Sequence, residues 1–259
     1  MINSLQNNKV KYVRRLQADR RFRAREQAFV VEGVRWLAEL GAGPEPPRQL
    51  FATADWLKNP SQAELLAELE VPVQLVTTEV MAAMSDTETP QGVLAVVEIS
   101  ERPFVPTPTL LLILDSIRDP GNLGTILRTA AAAGVDGVWL GPGCVDAYNP
   151  KVVRSSMGAL LRLPLAGGSW PEIGVSVKGL TVYLAAADGI LAYTAADWTQ
   201  PAALIIGSEA DGAGQQAARL AQERIAIPIQ HHTESLNAAV ATGVILFEAV
   251  RQRSVSGDP

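Results

Sequence analysis

Three short stretches gather polar residues at spacings suited to group transfer on a bound ligand. The first, DPGNLGTILRTAAAAG (119–134), follows the apolar run LLLIL and offers Asn122 and Arg128. A loop at the carboxyl end of a strand is where open α/β sheets bind ligands. Gly121 and Gly124 permit close backbone approach. A helix beginning near Leu123 would aim free N–H groups and its positive dipole end at an anion. Arg128 then lies one turn into the helix, within reach of a held phosphate, or is simply a solvated surface arginine. The second stretch, IIGSEADGAG (205–214), repeats the order of strand, glycine and polar residue, with Gly207 followed by Glu209. A carboxylate there accepts hydrogen bonds from a ligand or orders another loop. Equally, it serves the dipole of the following helix, QQAARLAQE. The third, IAIPIQHHTESLNAAVATGVILFEAV (225–250), places His231, His232, Ser235 and Asn237 before a long helix. Histidines can exchange protons, but solvated loop histidines are the plainer reading. Serine and asparagine are good N-caps, and taken singly that reading is favoured. Neither G-x-G-x-x-G nor G-x-x-x-x-G-K-[ST] occurs, which argues against a standard dinucleotide site or P-loop.

The elements that must position these residues form a parallel α/β domain over 110–259. Its strands, LLLILD, GVWLG, TVYLAAA, ALIIGSE and RIAIPI, are near-continuous apolar runs, the pattern of parallel strands covered on both faces. Helical segments separate them, and the last helix closes the chain. Before this domain, ERPFVPTPT (101–109) holds three prolines and reads as an extended linker. Residues 1–100 form a small α/β domain. A basic helix over about 8–26 leads into strand AFVVE, and strands QLFAT, VPVQLVT and QGVLAVVE alternate with helices.

Composition bounds the function. The chain has 259 residues, of which 47% are hydrophobic and 19% charged, enough for a buried core. One cysteine, Cys144, rules out an internal disulfide and fits a reducing compartment. With two adjacent histidines besides, a zinc site of Cys and His ligands is not expected. No apolar run reaches the roughly 18–20 residues of a membrane helix, and no signal-peptide core opens the chain. The net charge of −5 argues weakly against nucleic acid, but its distribution argues for it. Residues 1–25 hold Lys9, Lys11, Arg14, Arg15, Arg20, Arg21, Arg23 and Arg25 against one acid, Asp19. Such a basic end binds phosphate backbones electrostatically. The alternatives are a solvated basic helix and, more weakly, a transit peptide, since the stretch runs straight into AFVVEGVRWLAEL.

Together, in this order and spacing, the three stretches resemble the three motifs of the SpoU (TrmH) family of RNA 2′-O-ribose methyltransferases, in the SPOUT superfamily. The resemblance covers about residues 110–253. INSLQNNKVKYVRRLQADRRFRAREQAFVVEGVRWL also looks like the start of the family's frequent N-terminal substrate-binding domain, which resembles a ribosomal RNA-binding protein. The resemblance implies a C-terminal parallel-sheet domain with a deep trefoil knot, a rare exception to normal chain topology. It implies S-adenosylmethionine held largely by backbone groups at Gly207, Ile227 and Leu236. The family's catalytic positions carry over onto Asn122, Arg128, Glu209, Ser235 and Asn237. They imply an enzyme that methylates a ribose 2′-hydroxyl, with rRNA favoured over tRNA, acting as a cytoplasmic homodimer with its site near the subunit interface. On that reading Arg128 sits beside the 2′-hydroxyl and its phosphate, as the base that takes the hydroxyl proton or as a phosphate anchor. The four other residues orient it and the ribose, and the basic N-terminal segment supplies most non-specific RNA affinity. The third motif departs in having His231 and His232 where glycines are frequent, which bears on loop shape. The competing readings are a non-catalytic RNA-binding relative and a small-molecule methyltransferase. Intact motifs speak against the first, and the separate basic domain against the second.

Overall fold

The computed structural model describes residues 1–43, 46–209, 211–230 and 235–256. Its elements run α1 (Asn8–Ala18), α2 (Arg20–Glu26), β1 (Ala28–Glu32), α3 (Val34–Gly41), β2 (Gln49–Thr53), α4 (Pro60–Glu68), β3 (Val73–Val76), α5 (Thr78–Met84) and β4 (Val93–Glu98). The chain continues through β5 (Leu110–Leu114), α6 (Pro120–Ala132), β6 (Gly137–Leu140), α7 (Pro150–Ser156), β7 (Leu165–Gly167) and α8 (Trp170–Ser176). It ends with β8 (Thr181–Ala185), β9 (Leu191–Ala192), β10 (Ala202–Ile206), α9 (Gln215–Leu220), β11 (Glu223–Ala226) and α10 (Ala238–Ser256). No helix among the described residues is long and apolar enough to cross a membrane.

The chain divides into two compact units. One holds Met1–Ser100 with Tyr148–Leu161, the other Glu101–Ala147 and the chain from Arg162 onward. Residues 148–161, which sequence pattern places in the second domain, thus pack with the first. There α7 buries Val152 and Val153, Tyr148 lies 5.1 Å from the Phe29 ring of β1, and Arg154 pairs with Asp86. These contacts are long in sequence and leave no local signature. Residues 101–109 are likewise more than a spacer. Phe104 packs edge-on against Trp139 at 5.2 Å, over Gly137, where an added Cβ would meet the Phe104 ring at 2.9 Å.

In the first unit, the sheet order is β1-β4-β2-β3, with β4 antiparallel to both neighbours and β2 parallel to β3. Its core joins Val10, Val13 and Leu16 of α1 to Phe22, Phe51, Met81 and Met84. The predicted single basic helix is two helices. Asp19 adopts an extended backbone and breaks the run, and its carboxylate accepts the Phe22 N–H at 3.1 Å as the N-cap of α2. That bond holds the Asp19 carboxyl below the usual carboxylate range.

The second unit is a wholly parallel sheet in the order β7-β6-β5-β10-β8-β11-β9. The strands read as apolar runs lie at its centre. Leu112 of β5 stands between Leu204 of β10 and Val138 of β6, and every residue of β5 and β10 is buried. Each such leucine contributes up to about 1.5–3 kcal/mol relative to an exposed one. The carboxyl ends of β5, β10 and β11 carry the three candidate stretches.

Candidate functional site

The first stretch is less of a loop than its glycines suggest. Asp119 caps α6, accepting the Asn122 N–H at 2.8 Å, and Pro120 takes the first helical position, where its missing N–H costs nothing. The helix therefore starts three residues before the expected Leu123, and Gly121 and Gly124 are helical. Asn122 sits in the first turn, at the edge of the sheet's carboxyl end. In the second stretch, Gly207 leaves β10 and the chain folds back on itself at once. Ser208 and Gly212 exchange backbone hydrogen bonds of 2.9 and 3.0 Å. A Cβ at 207 would lie 2.3 Å from the Ala213 nitrogen and the Gly212 carbonyl carbon, so no side chain fits there. In the third, Asn237 caps α10, its Oδ1 accepting from Ala239 N at 3.0 Å and Val240 N at 3.3 Å.

These three stretches converge on one carboxylate. Glu209 Oε1 accepts from Asn122 Nδ2 at 2.7 Å, from Ala238 N at 3.1 Å and from Asn237 Nδ2. Asn237 Nδ2 also donates to Asn122 Oδ1 at 3.0 Å. The amide orientations are fixed by the backbone. Because Asn237 Oδ1 must accept from two helical N–H groups, its NH2 has to face Glu209. Asn122 then turns its own NH2 to the carboxylate and its oxygen to Asn237. Asn237 is therefore both a helix cap and a member of the cluster. Glu209 does complement a helix dipole, but that of α10 through Ala238 N–H, not that of the helix following it in sequence.

Two hollows meet at this carboxylate. A cavity of about 230 Å³ is lined by Ala185–Ala187, Ile206, Gly207, Ser208, Glu209, Gly212, Ile225, Ile227, Ile229, Ser235, Leu236, Ala238, Ala241 and Ile245. A second, of about 220 Å³, is lined by Ser116, Ile117, Arg118, Asp119, Asn122, Ser208, Glu209 and Ala238. Ser208, Glu209 and Ala238 are their common wall. The first is largely apolar, with polar groups at Ser208, Glu209 and Ser235. The second is edged by charged and polar side chains.

Of the site residues expected from sequence, Asn122, Glu209 and Asn237 meet. Ser235, Gly207, Ile227 and Leu236 line the apolar cavity, Ser235 as an exposed residue outside the cap of α10. Arg128 does not join the cluster. It is exposed and makes no hydrogen bond or ion pair among the described residues. Six residues along a helix from Asn122, it stands about 9 Å further along the axis and about 120° around it. His231 and His232 lie outside the described residues. Sequence reasoning missed Ala185–Ala187 because alanines carry no chemistry. Their place at the carboxyl end of β8 was the available signal.

The basic N-terminal residues separate into distinct roles. Arg23 is 4% exposed, and its guanidinium donates to the Leu16 and Gln17 carbonyls at 2.6 and 3.0 Å, closing the end of α1. It is a structural arginine, which corrects its assignment to an RNA-facing surface. Arg15 pairs with Asp19, Arg25 with Glu26, and both guanidiniums lie over the Phe22 ring at 4.3 and 4.8 Å. Lys9 donates to the Gln74 side chain at 2.9 Å. Lys11, Arg14, Arg20 and Arg21 are exposed and have no partner among the described residues.

Comparison with known proteins places this arrangement in a family. Residues 109–247 match the SpoU rRNA Methylase family, and residues 7–95 match the MRM3-like substrate binding domain. An uncharacterised tRNA/rRNA methyltransferase of Synechocystis is 38% identical over all of this chain and 96% of its own length. The 23S rRNA (guanosine(2553)-2′-O)-methyltransferase RlmP of Bacillus subtilis is 32% identical over 95% of this chain and 97% of its own. The crystal structure of an AdoMet-bound rRNA methyltransferase from Sinorhizobium meliloti superposes with a TM-score of 0.85 at 29% identity, over 96% of this chain and 97% of that one.

The fold and the shared-wall site define an RNA methyltransferase of the S-adenosylmethionine-dependent kind. The chain belongs to the SpoU rRNA methylase family. The apolar cavity fits that cofactor. Its alanine, isoleucine and leucine walls suit an adenine face, and the Glu209 carboxylate at its edge suits a sulfonium cation.

Proposed function

We propose that this enzyme methylates a ribose 2′-hydroxyl of ribosomal RNA, with the cofactor in the apolar cavity and the target nucleotide in the polar hollow beside it. The observation that carries this reading is the shared wall. Glu209, clamped by Asn122 and Asn237 from the two other stretches, borders both hollows, so groups bound on either side meet across it. S-adenosylmethionine supplies an electrophilic methyl group on sulfur. The protein's part is to hold a poor nucleophile in line with it, and positioning of that kind provides much of the rate. As the O–C bond forms and the S–C bond breaks, the hydroxyl proton leaves to water in the open polar hollow. Gly207, Ile227, Ser235 and Leu236 hold the cofactor. Asn122 faces the second hollow and fixes the carboxylate between the two.

Arg128 binds the phosphate beside the target ribose and steadies charge developing on the 2′-oxygen. The planar fork of guanidinium donors matches phosphate oxygens, which favours this role over that of a base. Its distance from the Glu209 cluster is bridged by a second copy of the chain. α10 packs on α6 and exposes Val240, Phe247 and Val255 along one stripe, with Phe247 50% exposed. A homodimer formed along that stripe covers it and delivers Arg128 to the partner's cluster. The knot expected of the family and a cytoplasmic location belong to the same reading.

Mapping 2′-O-methyl groups on total RNA with and without the protein tests the reaction: one rRNA position should depend on it. A dependent tRNA position, or a methylated base, would overturn that assignment. Arg128→Ala should nearly abolish methylation of bound 23S rRNA transcript in a single turnover, and a near-normal rate would sink its role. Mixing Arg128→Ala with Asn237→Ala chains should restore activity in the hybrid dimers. No restoration would show that each copy uses its own arginine.

A further inference from the structure

A buried carboxylate that the mechanism above does not use lies beneath the site. Asp115, at the carboxyl end of β5, is 4% exposed. Its Oδ2 accepts the Gly214 N–H at 2.7 Å, and its Oδ1 lies 3.1 Å from Ser116 Oγ. Its own N–H donates to the Ile206 carbonyl at 2.9 Å, at the end of β10. A buried carboxylate is expensive unless hydrogen-bonded, and the partner it has found is the residue where the second stretch enters α9. Gly214 is the N-cap of that helix and has no side chain to cap it. Between Ile206 and Gly214 the chain makes the tight hairpin closed by Ser208 and Gly212, with the Asp211 N–H on Ser208 Oγ at 3.1 Å. One end of the hairpin is fixed because Gly207 continues β10. The other end is fixed by Asp115. Glu209 and the Ser208–Gly212 wall of the cofactor cavity lie between these two anchors.

We propose that Asp115 is a positioning residue of the methyl-transfer site: through Gly214 it clamps the base of the 208–212 hairpin and so sets where Glu209 stands. The clamp joins the strand that leads into the first motif to the loop of the second. It fixes from below the register that Asn122 and Asn237 fix from above. The inference rests on the cofactor and site assignments above and adds a residue to them.

The test compares Asp115→Ala and Asp115→Asn with the wild-type full-length chain. Cofactor affinity is read by calorimetric titration with S-adenosylmethionine, turnover and RNA affinity with 23S rRNA transcript. Asp115→Ala should raise the cofactor Kd about tenfold and lower kcat at least as much, the scale of one lost charge-assisted hydrogen bond. RNA affinity should not move. Asp115→Asn keeps an oxygen for the Gly214 N–H and should stay within about threefold of wild type, since a neutral acceptor weakens but does not abolish the bond. Amide exchange at Gly214 should quicken in the alanine variant alone. A cofactor Kd and kcat unchanged in Asp115→Ala would overturn the proposal, as would equal losses in both variants. If Asp115→Ala does not fold, Asp115→Ser keeps a hydroxyl near Ser116 but is one bond too short to accept the Gly214 N–H now held at 2.7 Å. It should show the same rise in cofactor Kd, and no rise would overturn the clamp. Wild-type chain that neither binds the cofactor nor methylates RNA would refute the parent reading instead.

Discussion

The two basic helices at the start of the chain and the three strand ends of the parallel sheet both present polar side chains suited to a ligand, yet they hold them in opposite ways. In α1 and α2 half of the basic side chains are independent. Lys11, Arg14, Arg20 and Arg21 have no protein partner among the described residues, and the one arginine that is firmly held, Arg23, is turned away from solvent. At the strand ends, Asn122, Glu209 and Asn237 are each fixed by the others and by the backbone of α10. A phosphate-binding surface works with mobile cations, because its energy comes largely from counterion release and tolerates imprecise geometry. A transfer site works only when its groups are already in place. The contrast predicts that substitutions at the strand ends act on turnover, and substitutions in the helices act on affinity or on folding.

The largest effect is expected from Glu209→Ala. It leaves three donors without their common acceptor and frees all three stretches, so kcat should fall about 10²–10³-fold, the scale seen when one preorganised electrostatic contact is lost. RNA affinity measured by filter binding should be unchanged. A loss of RNA affinity equal to the loss of turnover would erase the proposed division between the two regions.

Next in size is the joint replacement of Lys11, Arg14, Arg20 and Arg21 by alanine. If all four meet phosphates, the log–log slope of RNA affinity against salt should flatten by about 3, since each contact contributes about 0.7–0.9. Single-turnover methylation at saturating RNA should stay near wild type. Removing the whole basic segment is a poorer experiment than its charge suggests, because Val10, Val13, Leu16 and Phe22 belong to the first unit's core. An unchanged slope would strip these helices of their RNA-binding role.

Arg23→Ala sharpens the comparison from within the basic segment. It should cost about 1–3 kcal/mol of stability, because two carbonyls at the end of α1 lose their donor in a buried setting. Denaturant midpoints measure this, and the salt slope should not change. A flattened slope with normal stability would return Arg23 to the RNA-facing set.

How far sequence could see follows from the same physics. β5, β8 and β10 were legible because strands covered on both faces need unbroken apolar runs, and the less buried β6 and β11 through the apolar residues within and beside them. β7 and β9 were not, being two or three residues long and only partly buried. The break at Asp19 was legible in principle, since an acid three residues before Phe22 is an N-cap pattern. It was hidden by the basic residues around it. The burial of Arg23 was not legible, because nothing local distinguishes it from Arg21 or Arg25. At the site, the residue types were visible and their singular readings were partly right, for Asn237 is a cap. What sequence could not supply was the meeting of Asn122 with Glu209, 87 residues apart, or the separation of Arg128 from both. The motif resemblance named the members of the site but not their contacts, nor Asp115 beneath them.

The smallest effect concerns a second carboxylate on α10, and it tests whether the dense hydrogen bonding around Glu209 is special to the active site. Glu248 is buried and accepts from Arg251 at 2.7 and 2.8 Å and from Gln252 Nε2 at 2.9 Å. Those bonds hold its carboxyl down to about 2, against the desolvation that would raise it. Gln252 in turn donates to the Thr194 and Ala196 carbonyls and accepts the Trp198 N–H, tying α10 to the 194–198 segment. A carboxyl whose folded value is depressed adds stability that is fully present above its unfolded value near 4.5 and lost as pH falls towards about 2. Denaturant midpoints should therefore fall through that window, and less steeply in Glu248→Gln, whose side chain does not titrate. Above pH 6 the two chains should bind S-adenosylmethionine equally, because none of Glu248, Arg251 and Gln252 lines the cofactor cavity. A cofactor affinity that dropped in Glu248→Gln would mean that the clamp on Glu209 is transmitted along α10, not set locally by the three strand ends.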